Sequence, residues 1–183
     1  MKVIVHQTPM NSAAVPFALD DLIAHARAQG AGDDAAIANM GYTAAAEIEH
    51  YAQVALLMKS IRVAIFEPHC GAGFALPIGP VADNAPPVVK LDGEVFLGFY
   101  FVGGIRPYIR WFPEFHSLIP SRIDIEYQAG FGADVWSIPQ DLAQALMDQA
   151  ALHYDGRSPM STKSLTVSPH MARVAARYRG LQS

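Results

Sequence analysis

Residues 121–157 read SRIDIEYQAGFGADVWSIPQDLAQALMDQAALHYDGR, and the hydrophobic rhythm changes once within them. Ile123, Ile125 and Tyr127 alternate with Asp124, Glu126 and Gln128. That is the period of a strand with one buried and one wet face, as in an antiparallel sheet. Beyond the glycines, Leu142, Leu146, Gln149, Ala150 and His153 recur at helical spacing, which predicts a helix over about 138–155 closed by His153, Tyr154 and Arg157. Ser137 with Gln140 is a candidate capping box. Gly130 and Gly132 invite comparison with a phosphate-gripping loop. Such a loop needs converging backbone N–H groups, usually with a Lys, and a helix that begins at once. Here no Lys follows and Ala133 to Ser137 intervene, so Gly130 and Gly132 are read as a structural turn.

The same two rhythms organise the rest of the chain. After Pro16, Leu19, Leu22, Ile23 and Ala26 predict a helix over about 19–30, with Asp20 and Asp21 in its first turn and Gly30 just past its end. Ile37, Met40, Ala44, Ile48 and Tyr51 predict a second helix over about 33–52, in which Gly41 implies close packing. The short connection makes the two an antiparallel pair. From Val54 the sequence VALLMKSIRVAIFEP loses helical periodicity, and Pro77, Pro80, Pro86 and Pro87 exclude helix further on. PPVVKLDGEVFLGFYFVGG reads as two strands joined at Asp92-Gly93, and RPYIRWFP as another. Residues 1–16 read as an arm or a short edge strand. RSPMSTKSLTVS, from Arg157, has linker composition, and PHMARVAARYRG, from Pro169, reads as a last short helix. The expected fold is α+β. An antiparallel helical core in a body over 17–156 carries an antiparallel β insertion at about 54–128, and an extended C-terminal tail over 157–183 ends in a helix.

With 183 residues, 51% hydrophobic, the chain is long enough to bury a core without staples, and its single cysteine makes no internal disulfide. No apolar run reaches the roughly 18 residues of a spanning helix, and the apolar run in MKVIVHQTPM is too short for a secretory signal, so folding in cytoplasm is expected. The net charge of −4 is unevenly spread. Arg157, Lys163, Arg173, Arg177 and Arg179 lie in the last 27 residues, and all 17 carboxylates lie before them. Such a split signals a partner for the tail, while the acidic body argues against a dedicated nucleic-acid binder.

Chemistry-bearing patterns are weak. CGAGFALPIGP fails as a dinucleotide fingerprint, because Pro77 and Pro80 forbid the helix it needs. His69 and Cys70 point to opposite faces of extended chain. His6, His25, His50, His116 and His170 form no i,i+4 His pair and no HExxH pattern. Neither GxSxG nor SxxK occurs. Glu47 and Glu49, two apart on a helix, do not face each other. Glu114 and His116 fall in a Pro-flanked loop, and the aromatics of FLGFYFVGG lack interleaved cations, so packing is their expected role. No catalytic, cofactor-binding or metal-ligating residue is expected.

Taken in order, LDDLIAHARA, DDAAIANMGYTAAAEIEHY, LLMKSIRVAI, LPIGPV, LDGEVF, IDIEYQAGFG, IPQDLAQALMDQAALHYDGR and ARVAARYRG resemble the head–tail connector (adaptor) proteins of tailed phages and phage-like gene transfer agents. The likeness covers roughly residues 17–180, and YQAGFG followed by IPQDLAQALMDQAALHYDGR is its most specific part. The long aromatic stretch from Phe96 to Phe115 and the N-terminal extension depart from the family pattern. The resemblance implies a virion structural protein, assembled in the host bacterial cytoplasm, that forms a homo-oligomeric ring of twelve below the portal protein. The ring would extend the DNA channel, with DNA passing through its lumen without sequence-specific binding, and would meet a downstream stopper or tail protein; no membrane is involved. It also implies a C-terminal segment that reaches into the portal. Residues 157–168 could span up to about 40 Å when extended. On this reading Met171, Val174, Ala175 and Tyr178 are apolar anchors for the portal, and Arg173, Arg177 and Arg179 pair with partner carboxylates or face the packaged DNA. Deleting residues 157–183 would then leave a folded body. A stopper or tail-terminator ring, dominated by sheet, and a small cytoplasmic enzyme are the alternatives.

Overall fold

The structure is a computed structural model that describes residues 1–28, 33–68, 71–156 and 167–179. Gly30, the His69-Cys70 pair, Arg157, Lys163 and most of the expected linker lie outside the described residues. The fold is α+β, and the chain forms two units. Met1–Ser12 and Met58–Gly130 build a sheet unit; Ala13–Leu57 and Phe131–Ser183 build a helical unit.

The sheet unit holds β1 (Lys2–Pro9), β2 (Lys59–Phe66), β3 (Gly73–Ala75), β4 (Val88–Leu91), β5 (Glu94–Val95), β6 (Phe99–Val102), β7 (Tyr108–Trp111) and β8 (Arg122–Ala129). Five strands form one antiparallel sheet in the order β1-β2-β8-β4-β5, and three form another in the order β3-β7-β6. The alternation in β8 sets the register. Ile61 faces Tyr127, Val63 faces Ile125 and Ile65 faces Ile123, all buried, while Val89 and Leu91 of β4 pair with Ile125 and Ile123. The wet face carries polar cross-strand pairs: Arg62 lies 3.2 Å from Glu126, and Arg122 sits over the Phe66 ring. A one-residue slip would reverse both faces.

Asp92 and Gly93 both take positive φ and form the hairpin turn that their sequence demands. The Asp92 carboxylate accepts from the hydroxyl and N–H of Ser121 and from the N–H of Arg122. The hydroxyl bond foremost, and the two backbone bonds after it, hold its pKa below the ordinary value, although burial opposes them. The second hairpin strand differs from expectation. It ends as β5 after two residues, and β6 joins the other sheet. Phe96 turns toward Trp111 and Phe115, whose rings stack at 4.5 Å, so the aromatic stretch becomes a packing cluster that breaks the strand. Lys2–Pro9 is the edge strand allowed by the sequence, paired to β2 along its whole length.

The helical unit holds α1 (Leu19–His25), α2 (Asp34–Ala52), α3 (Gln140–Gly156) and α4 (Pro169–Tyr178). α1 ends earlier than expected. Arg27 adopts left-handed φ, and the N–H of Ala28 reaches back to the carbonyl of Ile23, which closes the helix before Gly30. α2 ends at a left-handed Gln53, and the Glu49 carboxylate accepts from the N–H of Leu56. Val54 and Leu56, expected to open the β insertion, belong instead to the helical core, and β2 starts only at Lys59. The buried face of α2 runs through Ile37, Gly41, Ala44, Ala45, Ile48 and Ala52, and Tyr51 turns outward. Alanines let the helices approach closely around Leu22, Leu142 and Leu146.

A Cβ on Gly41 would stand 2.7 Å from the Phe17 ring and 2.8 Å from Leu22. Gly41→Ala is therefore expected to destabilise the protein by about 1–2 kcal/mol, because overpacking outweighs the roughly 1 kcal/mol of helix propensity gained. Thermal or urea unfolding of the variant checks this.

Candidate functional site

The sequence placed its interest in two places, the glycine turn and the basic tail. At the turn, Gly130 has φ 146° and its N–H donates to the carbonyl of Pro80. A Cβ on Gly132 would stand 2.2 Å from the side chain of Ser137. Both glycines thus answer to the path of the chain. The capping box does not form. The hydroxyl of Ser137 donates to Asp134, which also accepts from the N–H groups of Trp136 and Ser137 and so caps a single 3-10 turn ahead of α3.

The tail is where the structure departs most from expectation. α4 packs on both α2 and α3 within the helical unit. Met171, Val174 and Ala175 are fully buried there, and Tyr178 packs against the same core with its ring against Phe131. These side chains were expected to wait for the portal. They are already occupied, because an amphipathic helix with three fully buried residues gains about 1.5–3 kcal/mol for each large one. Deleting residues 157–183 would consequently strip the helical core and would not leave an intact body.

Polar contacts at its two ends fix how α4 sits. At its start, Ser168 is the N-cap, bonded to the N–H of Met171, and Pro169 follows at the first helical position. The Ser168 N–H donates to Oε1 of Gln149, a side chain 1% exposed. Gln149 Nε2 in turn donates to Glu47 of α2, which also pairs with His153 at 3.0 Å. Beside that same end, Asp148 of α3 joins three helices. His25 of α1 lies 2.9 Å from Oδ1, and His170 of α4 pairs with Oδ2. Burial alone raises the pKa of Asp148, but hydrogen bonds from His170 and Gln144 and the charges of His170 and His25 outweigh it and hold the carboxyl low. At its end, the Tyr178 phenol donates to Asp141 at 2.8 Å and Arg177 pairs with the same carboxylate at 3.0 Å. Burial first, then the Asp141 contact, pushes the Tyr178 pKa up to about 12.

Sequence reasoning singled out His153, Tyr154, Arg173, Arg177, Tyr178 and Arg179 but missed their partners. His153 reaches across to α2 and does not cap its own helix. Tyr154 is partly buried against the helical core, and Arg157 lies outside the described residues. Asp141 and Asp148 were missed, and Gln149 was read only as a member of the α3 stripe, although Asp141 and Asp148 stand two turns apart on one face of α3 opposite a tail without acids. Glu47 and Glu49 do take separate partners. Arg173 and Arg179 are exposed and have no ion-pair partner among the described residues. No group of three His, Cys, Asp or Glu among those residues is placed to hold a metal ion. No helix there is long and apolar enough to cross a membrane.

No family model matches the chain, and no curated protein matches it. Solved structures do. The chain is similar to one in the virion of a native gene transfer agent (GTA) particle, with 29% identity and a TM-score of 0.71 over 97% of this chain and 96% of that one. It is similar to a chain in the neck of an empty GTA particle computed with C6 symmetry, at 28% identity and TM-score 0.72. A chain in the neck of a native GTA particle computed with C12 symmetry gives 27% and 0.72. Both neck likenesses cover 100% of this chain and 97% of the other.

Two substitutions probe the seat of α4. Asp148→Asn is expected to cost about 1–2 kcal/mol near neutral pH by weakening both histidine contacts. Because the folded pKa of Asp148 is depressed, its contribution is present above the unfolded carboxylate pKa and is lost as pH falls through the folded one. The gap between variant and wild type should therefore close in acid, as denaturant unfolding at several pH values would record. Gln149→Leu leaves the Ser168 N–H without its acceptor in a buried place, and a loss of about 1–3 kcal/mol is expected. Faster amide exchange along α4 would accompany it.

Proposed function

We propose that this chain is a structural subunit of the neck of a phage-like, gene-transfer-agent particle, and within that neck the adaptor ring beneath the portal. The carrying observation is the likeness to neck chains over essentially the full length of both partners. A ring of twelve accords with the C12 symmetry used for the native neck. Helices, 3-10 turns included, make up 37% of the described residues, which speaks against a sheet-dominated stopper or terminator. The site's geometry fits a mechanical role: its polar groups are spent on holding helices together.

The route to the portal changes from the one read in the sequence. With the apolar face of α4 seated and Arg177 paired to Asp141, Arg173 and Arg179 remain exposed for a partner. Exposed pairs contribute only about 0–1 kcal/mol each, so binding draws on many copies acting around a ring. Packaged DNA passes the lumen without base-specific contacts, and a downstream tail protein meets the far side.

Cells lacking the chain are expected to make filled heads without tails, visible by electron microscopy. Fully tailed particles without it would sink the neck reading. Arg173→Glu with Arg179→Glu should leave thermal stability within about 0.5 kcal/mol of wild type, since both side chains are exposed. The same pair should sharply reduce the number of tailed particles; an unchanged yield would remove the portal-facing role of α4.

A further inference from the structure

The five-stranded sheet ends in two open edges of complementary character. β1 lies at one end and pairs only with β2, yet every one of its eight side chains is exposed, so neither of its faces is covered. Its first half holds Val3, Ile4 and Val5, flanked by Lys2 and His6. Proteins usually blunt such an edge with charge, proline or a cover, because its free N–H and C=O groups template pairing with another strand. Here Lys2 and Pro9 sit only at the ends.

At the opposite end, β5 pairs only with β4. Beside it lies a groove of about 320 Å³ lined by Val95, Phe96, Leu118 and Ile119 together with Asp92 and Glu94. Ile119 is 92% exposed and Val95 61%, apolar surface that a monomer gains nothing by displaying. The charges are opposite. Residues 1–12 carry Lys2 and His6 and no carboxylate, and the groove carries two carboxylates and no cation.

We infer that β1 of one copy of this chain adds to the β5 edge of a second copy, with Val3 and Val5, which share one face of the strand, over the groove and Lys2 near Glu94. Main-chain hydrogen bonds give such strand addition its affinity, and pockets for alternate side chains give its register. Because the two edges are different surfaces of one sheet, the contact is head to tail. Each copy keeps an open edge at either end, and a contact of that kind closes into a ring when the rotation fits. The ring reading above supplies only the choice of a second copy as occupant.

Cross-linking in the full chain tests this. In a Cys70→Ser background, copies bearing Val3→Cys, Ile4→Cys or Val5→Cys are mixed with copies bearing Val95→Cys and mildly oxidised, both as concentrated protein and after co-expression in particles. At least one mixture should give a disulfide-linked dimer that neither copy gives alone, and a chain carrying both cysteines should give a ladder. Val95→Asp with Ile119→Asp should stay folded and weaken self-association about tenfold or more. Absence of the mixed dimer in both settings, or capture of a different virion protein at Val95→Cys in its place, overturns the inference. A neck ring without this cross-link would leave the neck reading standing, and a cross-linked chain that never enters particles would remove only the latter.

Discussion

The helical unit depends on one act of burial: Met171, Val174 and Ala175 closing the gap beside α2 and α3. Small residues on the receiving helices, Ala44 and Ala45 on one and Ala145 and Ala150 on the other, make that gap shallow enough for a helix to enter. The magnitudes rank the forces. A large apolar side chain taken out of water contributes about 1.5–3 kcal/mol, and an exposed ion pair at most about 1. The apolar face therefore decides that α4 sits, and Gln149, Asp148 and Asp141 decide where along the groove it sits.

That division of labour clarifies what the polar residues are for. Asp148 touches side chains from α1, α3 and α4, so a single carboxylate coordinates three segments far apart in sequence. Gln149 extends the same principle to α2 through Glu47. Histidines that look scattered along the chain, at 25, 153 and 170, are all engaged with carboxylates in the same unit.

Where period and chemistry agreed locally, the sequence was easy to read. β8 follows from strict alternation, the turn at Asp92-Gly93 from two residues that accept positive φ, and α2 and α3 from their apolar stripes. What escaped was set at long range. The amphipathic pattern of α4 shows that one face wants cover but not what covers it, and the answer lay more than a hundred residues upstream as well as in α3. The short β5 was hidden because the inward turn of Phe96 depends on Trp111 and Phe115. The early stop of α1 was hidden because a left-handed arginine leaves no compositional mark. β1 carries no alternation, since neither of its faces is buried.

All of the sheet unit except β1 is an insertion: α1 and α2 come before Met58, α3 and α4 after Gly130. During synthesis the first two helices must wait through the whole intervening stretch before meeting their partners, and the last partner is made only when residues 169–178 emerge. Until then the hollow that Met171 and Val174 will fill stays open to water and to proteases. Chains cut short before that point would carry a defective core, so the cell's quality control has a physical means of removing them.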